Sequence, residues 1–144
     1  MSRITLGLGL FAALAFTVPA ISQAADETFK ATLSNTAEVP ATTSAGKGTA
    51  SITLDTVSKK IAYTVTYSGL SGPATAGHIH GPAAAGANAG VLVPFPNTAS
   101  GNNPISGTAQ LTDAQVADLE AGKMYVNLHT AANPGGEIRG QLVK

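Results

Sequence analysis

From residue 25 onward the chain alternates apolar and polar side chains in short runs. Phe29, Ala31 and Leu33 alternate with Lys30 and Thr32, the period-2 signature of a half-buried strand. Ala50, Ile52 and Leu54 alternate with Ser51, Thr53 and Asp55 in a second strand. After a hairpin connection at Asp55–Lys60, Ile61, Tyr63, Val65 and Tyr67 form one face of a third, opposite Ala62, Thr64 and Thr66. β-Branched and aromatic residues of this kind fit a pleated surface. Ala74–His80 predicts a short strand ended by Gly81-Pro82. Val91-Leu92-Val93 predicts another that Pro94 confines to a sheet edge. Ile105–Leu111 predicts a sixth. In Lys123–Thr130, Met124, Val126 and Leu128 face one way and Tyr125, Asn127 and His129 the other. Asn133-Pro134-Gly135-Gly136 is a tight-turn sequence, and Glu137–Val143 returns as the last strand.

One helix breaks the pattern, at about 112–121. Thr112 is its N-cap and Gln115 completes capping-box spacing. Leu111 and Val116 are spaced for a hydrophobic staple, Asp113 meets the positive end of the helix dipole, and Gly122 fits the position just past the C-terminus. Seven or eight short strands with one short helix predict an all-β fold: an antiparallel immunoglobulin-like sandwich or a Greek-key barrel. Between the fourth and sixth strands runs a long low-complexity stretch, Gly81–Pro104, of the length that in compact domains is functional or mobile. No internal repeat and no second domain are visible.

The first 24 residues follow a different rule. Met1-Ser2-Arg3 is a short basic start, Ile4–Val18 is uncharged and apolar, and Ser22 and Ala24 are the small residues of a cleavage site. This is the pattern of a secretory signal peptide, with cleavage expected after Ala24 and a mature domain over 25–144. The apolar run is shorter than the ~20 residues a spanning helix needs. An exported protein, periplasmic or extracellular, is therefore expected, with no membrane attachment after cleavage.

Composition narrows the chemistry. The chain has 144 residues, 8 basic and 8 acidic, and formal net charge +0. No clustered positive charge exists to attract nucleic acid. With no Cys there are no disulfides, no thiolate nucleophile and no Cys-ligated metal. The few carboxylates are scattered, and Ala45-Gly46-Lys47-Gly48-Thr49 lacks the Ser/Thr and the first Gly of a phosphate loop. What stands out is His: there are only 3. His78-Ile79-His80 is an H-x-H on a predicted strand, so both imidazoles project from one face. By the same alternation His129 shares a face with Asn127 and Tyr125. If the two strands are neighbours, His78, His80 and His129 form a three-imidazole set suited to one Cu(II) or Zn(II) ion. If they are not, two exposed His lie on an edge strand and one lies elsewhere. Around such a set, Asn127 and Arg139 are candidates to orient His129. Alternatively, Glu137 and Arg139, two apart on the last strand, are a structural cross-strand charge pair.

Four stretches together resemble the CHRD domain, the module named after chordin and common in exported bacterial proteins. They are Leu33–Pro40, Ala76–Ala83, Leu119–Thr130 and Asn133–Leu142, in order and across essentially the whole mature chain. Asn35 departs from the Gly more usual there. The resemblance implies an immunoglobulin-like β-sandwich or barrel, and it places all three His inside recognisable motifs. In motif order the chain is also similar to Cu/Zn superoxide dismutases, with an H-x-H on a strand, a later His, then a Gly-rich turn and an Arg. That similarity implies copper ligands at His78, His80 and His129 and an anion-attracting Arg139. It lacks a fourth His to bridge a second metal, a Cys pair, and a His/Asp zinc cluster. The expected function is an exported CHRD-domain binding module, more a binder than an enzyme, holding a transition metal on the three His. A copper-dependent dismutase-like enzyme and a metal-free module binding an extracellular protein are the alternatives.

Overall fold

A computed structural model describes residues 25–144; residues 1–24, with the expected leader and its cleavage site, lie outside the described residues. The strands are β1 (Asp26–Ser34), β2 (Lys47–Asp55), β3 (Lys60–Ser68), β4 (Ala74–His80), β5 (Val91–Pro94), β6 (Ile105–Gln110), β7 (Tyr125–Thr130) and β8 (Ile138–Gln141), with one helix, α1 (Asp113–Glu120), between β6 and β7. They form one antiparallel sheet in the order β5-β4-β7-β8-β1-β2-β3-β6. Of the two expected architectures, this all-β protein adopts the barrel-like one: the sheet curls until it nearly closes.

The alternating pattern decides which way each strand faces. Phe29, Ala31 and Leu33 of β1, Ala50, Ile52 and Leu54 of β2, and Ile61, Tyr63 and Val65 of β3 all point into a single core. Ile79 of β4, Val126 and Leu128 of β7 and Ile138 of β8 complete it from the far side. β5 and β6 are the free edges of the sheet. Phe95, just past β5, stacks on Tyr63 of β3 with ring centroids 4.4 Å apart and so fills the inside of the seam between them. Pro94 ends β5 there, as expected of an edge strand.

The helix starts as its sequence predicts. Thr112 accepts from the Gln115 backbone N–H, and the Gln115 side chain accepts from the Thr112 N–H. Gly122 follows the helix with φ 68°, a left-handed conformation that favours Gly. Leu119 anchors α1 in the core. No helix among the described residues is long and apolar enough to cross a membrane.

The far half of the barrel departs from simple alternation. Every residue of β7 is buried, on both faces. Its second face would meet water in a two-faced sheet, but connecting segments cover it. One of them is anchored by Glu137. This carboxylate accepts from Ser44 Oγ at 2.5 Å, from the Ser71 backbone N–H at 2.7 Å and hydroxyl at 2.6 Å, from Thr130 Oγ1, and from Asn133 Nδ2 at 3.1 Å. The expected pairing of Glu137 with Arg139 does not form. Glu137 has hydroxyl and amide partners, and Arg139 pairs with Glu38, far away in sequence. Burial alone would raise the Glu137 pKa, but these hydrogen bonds outweigh it and hold the carboxyl at about 2, below its usual 4.5.

Glu137 therefore contributes stability that is complete above about pH 4.5 and is lost as pH falls toward about 2. Glu137→Ala should destabilise the fold by about 2–4 kcal/mol in urea unfolding, because it strands several donors at once. Glu137→Gln should flatten the acid limb of stability between those two pH values.

Candidate metal centre

β4 and β7 are hydrogen-bonded neighbours, with His78 opposite Asn127, His80 opposite Tyr125 and Ala76 opposite His129. Facing residues of an antiparallel pair share a side of the sheet. The condition left open by the sequence is met, and all three imidazoles project from one surface. His78 Nδ1 lies 3.0 Å from His129 Nε2. One ring nitrogen from each of the three residues falls within 4.8 Å of the others. Nitrogens bound to one ion at ~2.0–2.1 Å lie at most about 4.2 Å apart, so a rotamer adjustment of roughly half an ångström completes the set. Among the described residues, no Asp or Glu joins the cluster.

Backbone carbonyls set the tautomers. His80 Nδ1 is 3.0 Å from the Ala89 carbonyl oxygen, and His129 Nδ1 is 3.0 Å from that of Pro134. A carbonyl only accepts, so both Nδ1 atoms carry the proton, and in the neutral, metal-binding form of each ring Nε2 carries the lone pair. The His129 lone pair accepts from His78 Nδ1–H. The His80 lone pair has no partner at all, although the atom is buried. An unpaired buried acceptor costs about 1–3 kcal/mol, an expense that a bound ligand removes.

The stretch Gly81–Pro104, expected to be functional or mobile, supplies part of the frame. Besides holding His80, Ala89 donates its N–H to the Tyr125 hydroxyl at 3.1 Å. The Tyr125 ring stacks on His80, with centroids 5.0 Å apart and an interplanar angle of 4°. Asn88 Nδ2 donates to the Val39 carbonyl at 3.1 Å. At Gly81, a Cβ would meet the Lys123 carbonyl oxygen at 2.9 Å, so only Gly lets the strap leave β4 this close to the next element.

Asn127 and Arg139 face each other across β7 and β8. Both bind Glu38, which in the sequence is marked only as part of the stretch Leu33–Pro40. Arg139 Nε donates to Glu38 Oε2 at 2.6 Å, and Asn127 Nδ2 donates to Glu38 Oε1. The Arg139 guanidinium carbon also lies 4.5 Å from the Tyr125 ring centroid. Expected as an anion-attracting group, Arg139 is instead 5% exposed and matched by a carboxylate. The one signal for Glu38 in the sequence was its place in the first of the four motif stretches. Gly136 is part of the same packing. A Cβ there would meet the Asn127 amide at 2.7 Å, and its φ of 131° disfavours any L side chain.

Electrostatics favour the neutral form of His78 and His80. Burial, together with His129 and His80, lowers the His78 pKa from 6.5 to about 4. Burial likewise lowers that of His80, partly opposed by its bond to Ala89. Burial pushes the Glu38 carboxyl up, while the bonds from Arg139 and Asn127 pull it back. His78 and His80 thus present uncharged nitrogen donors, the form that coordinates a metal.

The CHRD domain profile matches residues 29–142. No curated protein and no solved structure matches the chain.

Because the folded protein resists protonating His78, the metal-free form should be most stable above pH 6.5. Its stability should fall as pH drops toward about 4, where the unfolded chain takes up a proton that the folded chain refuses. Thermal melting across that range should show the loss, and His78→Asn should reduce it.

Proposed function

The chain belongs to the CHRD domain family, and we propose that it is a binding module that holds one transition-metal ion, copper or zinc, on His78, His80 and His129. The observation that carries this is the buried, unpartnered Nε2 of His80 beside the close His78–His129 pair. Evolution of a merely structural cluster would be expected to leave no such atom unpaired. Backbone carbonyls fix two of the three tautomers with Nε2 free, the arrangement by which metal-binding His are oriented.

Binding is favoured over catalysis because the cation near the rings, Arg139, is engaged by Glu38 and by the Tyr125 face. An anion arriving at the metal would find its charge already matched. Export belongs to the same proposal. It is supported by the basic start at Arg3, the apolar run Ile4–Val18 and the small residues at Ser22 and Ala24. In an exported chain without Cys, His is the principal ligand type left for copper or zinc.

The test is thermal melting of the metal-free protein over residues 25–144 with and without added copper or zinc. An ion present at 100 times its Kd adds about 2.7 kcal/mol, a rise of roughly 10 °C for a domain of this size. His80→Ala should abolish the shift, and the exposed-face variant Thr108→Ala should keep it. An undiminished shift in His80→Ala would overturn the assignment.

A further inference from the structure

Resting on that metal-binding reading, we infer that the site is built for monovalent copper, Cu(I), in preference to Cu(II) or Zn(II). Charge is the first ground. The three donors are neutral imidazoles, and the groups that orient them are neutral too: the carbonyls of Ala89 and Pro134. Many metal-bound His donate instead to a carboxylate, which offsets part of the ion's charge. Here both nearby carboxylates are committed elsewhere. Glu38 is held by Arg139 and Asn127. Glu137 is saturated by Ser44, Ser71, Thr130 and Asn133. Neither carboxylate therefore orients a ligand ring or joins the ligand set, so the ion's charge is not offset among its own ligands.

Burial makes that charge expensive. His80 and His129 are each 8% exposed, and His80 Nε2 has essentially no solvent contact. The solvation lost by a buried ion grows with the square of its charge, so a divalent ion pays about four times what a monovalent one pays. The Arg139 guanidinium, although paired, adds no attraction for a cation.

Coordination number points the same way. Three nitrogens satisfy a trigonal Cu(I) ion without help. Zn(II) calls for a fourth ligand in a tetrahedron, and Cu(II) for a tetragonal set. The missing ligands would have to enter beside His78, the half-exposed member of the three. Tyr125 stacks over His80 and blocks approach across that ring.

The experiment is competitive titration of the metal-free protein: Cu(I) under ascorbate against bathocuproine disulfonate, Cu(II) against nitrilotriacetate, and Zn(II) against a chromogenic zinc chelator. Cu(I) should bind tighter than Cu(II) or Zn(II) by roughly 1000-fold or more. Equal or tighter binding of a divalent ion would overturn this inference and leave the metal site standing. Absence of binding by all three ions would overturn the metal site itself. A second variant isolates the charge argument. Ala76 faces His129 across the β4–β7 ladder, so Ala76→Asp sets a carboxylate beside the cluster. It should narrow the Cu(I) preference by roughly 10-fold or more, with Ala76→Asn as the uncharged control. A preference unchanged by the added carboxylate would overturn the inference.

Discussion

The pairing of β4 with β7 is the constraint on which the rest depends. It joins residues some fifty positions apart and sets a register in which His80 meets Tyr125 and His78 meets Asn127. A slip of one residue would turn His129 into the core and Leu128 out of it, because side chains alternate across a strand. The core prevents that slip. Ile79, Val126 and Leu128 are essentially fully buried on the opposite face, so the same hydrophobic packing that stabilises the barrel also aligns the imidazoles. Core packing thus places the three His on one face, and the carbonyls of Ala89 and Pro134 then orient two of the rings.

The second face of β7 poses the opposite problem. It carries Tyr125, Asn127 and His129 away from solvent, and each buried polar group there needs a partner. The partners come from three connecting segments. Glu38 serves Arg139 and Asn127, Ala89 serves His80 and Tyr125, and Pro134 serves His129. Glu137 ties the neighbouring turns together beneath them. His80 Nε2 is the exception in an otherwise satisfied network. An exception of that kind, in the middle of a set of lone pairs, is what gives the cluster its chemical meaning.

Much of this was legible without coordinates. Period-2 runs located β1, β2, β3 and β7, short runs bounded by Gly, Pro and turn residues located the other strands, and the capping box located the helix, because each depends on neighbours within a few residues. The edge character of β5 followed from Pro94 in the same way. Of the site, the sequence supplied the three His and their faces, and it named Asn127 and Arg139 as companions. It did not supply Glu38, whose role depends on contact with a residue 101 positions later. The alternative pair of Arg139 with Glu137 does not form for the same reason: nearness along a strand is a weak guide when loops bring other charges closer.

The sequence by itself determined the all-β class, the strand faces and the identity of the candidate ligands, since local alternation and residue chemistry suffice for these. Only the tertiary structure decided that β4 lies beside β7, that the sheet curls into a barrel-like form, and that three loops seal the His-bearing face. Those outcomes depend on which distant surfaces bury each other and on where buried carboxylates and carbonyls find donors. No short-range pattern encodes either, and both are needed before three scattered His become one candidate binding site.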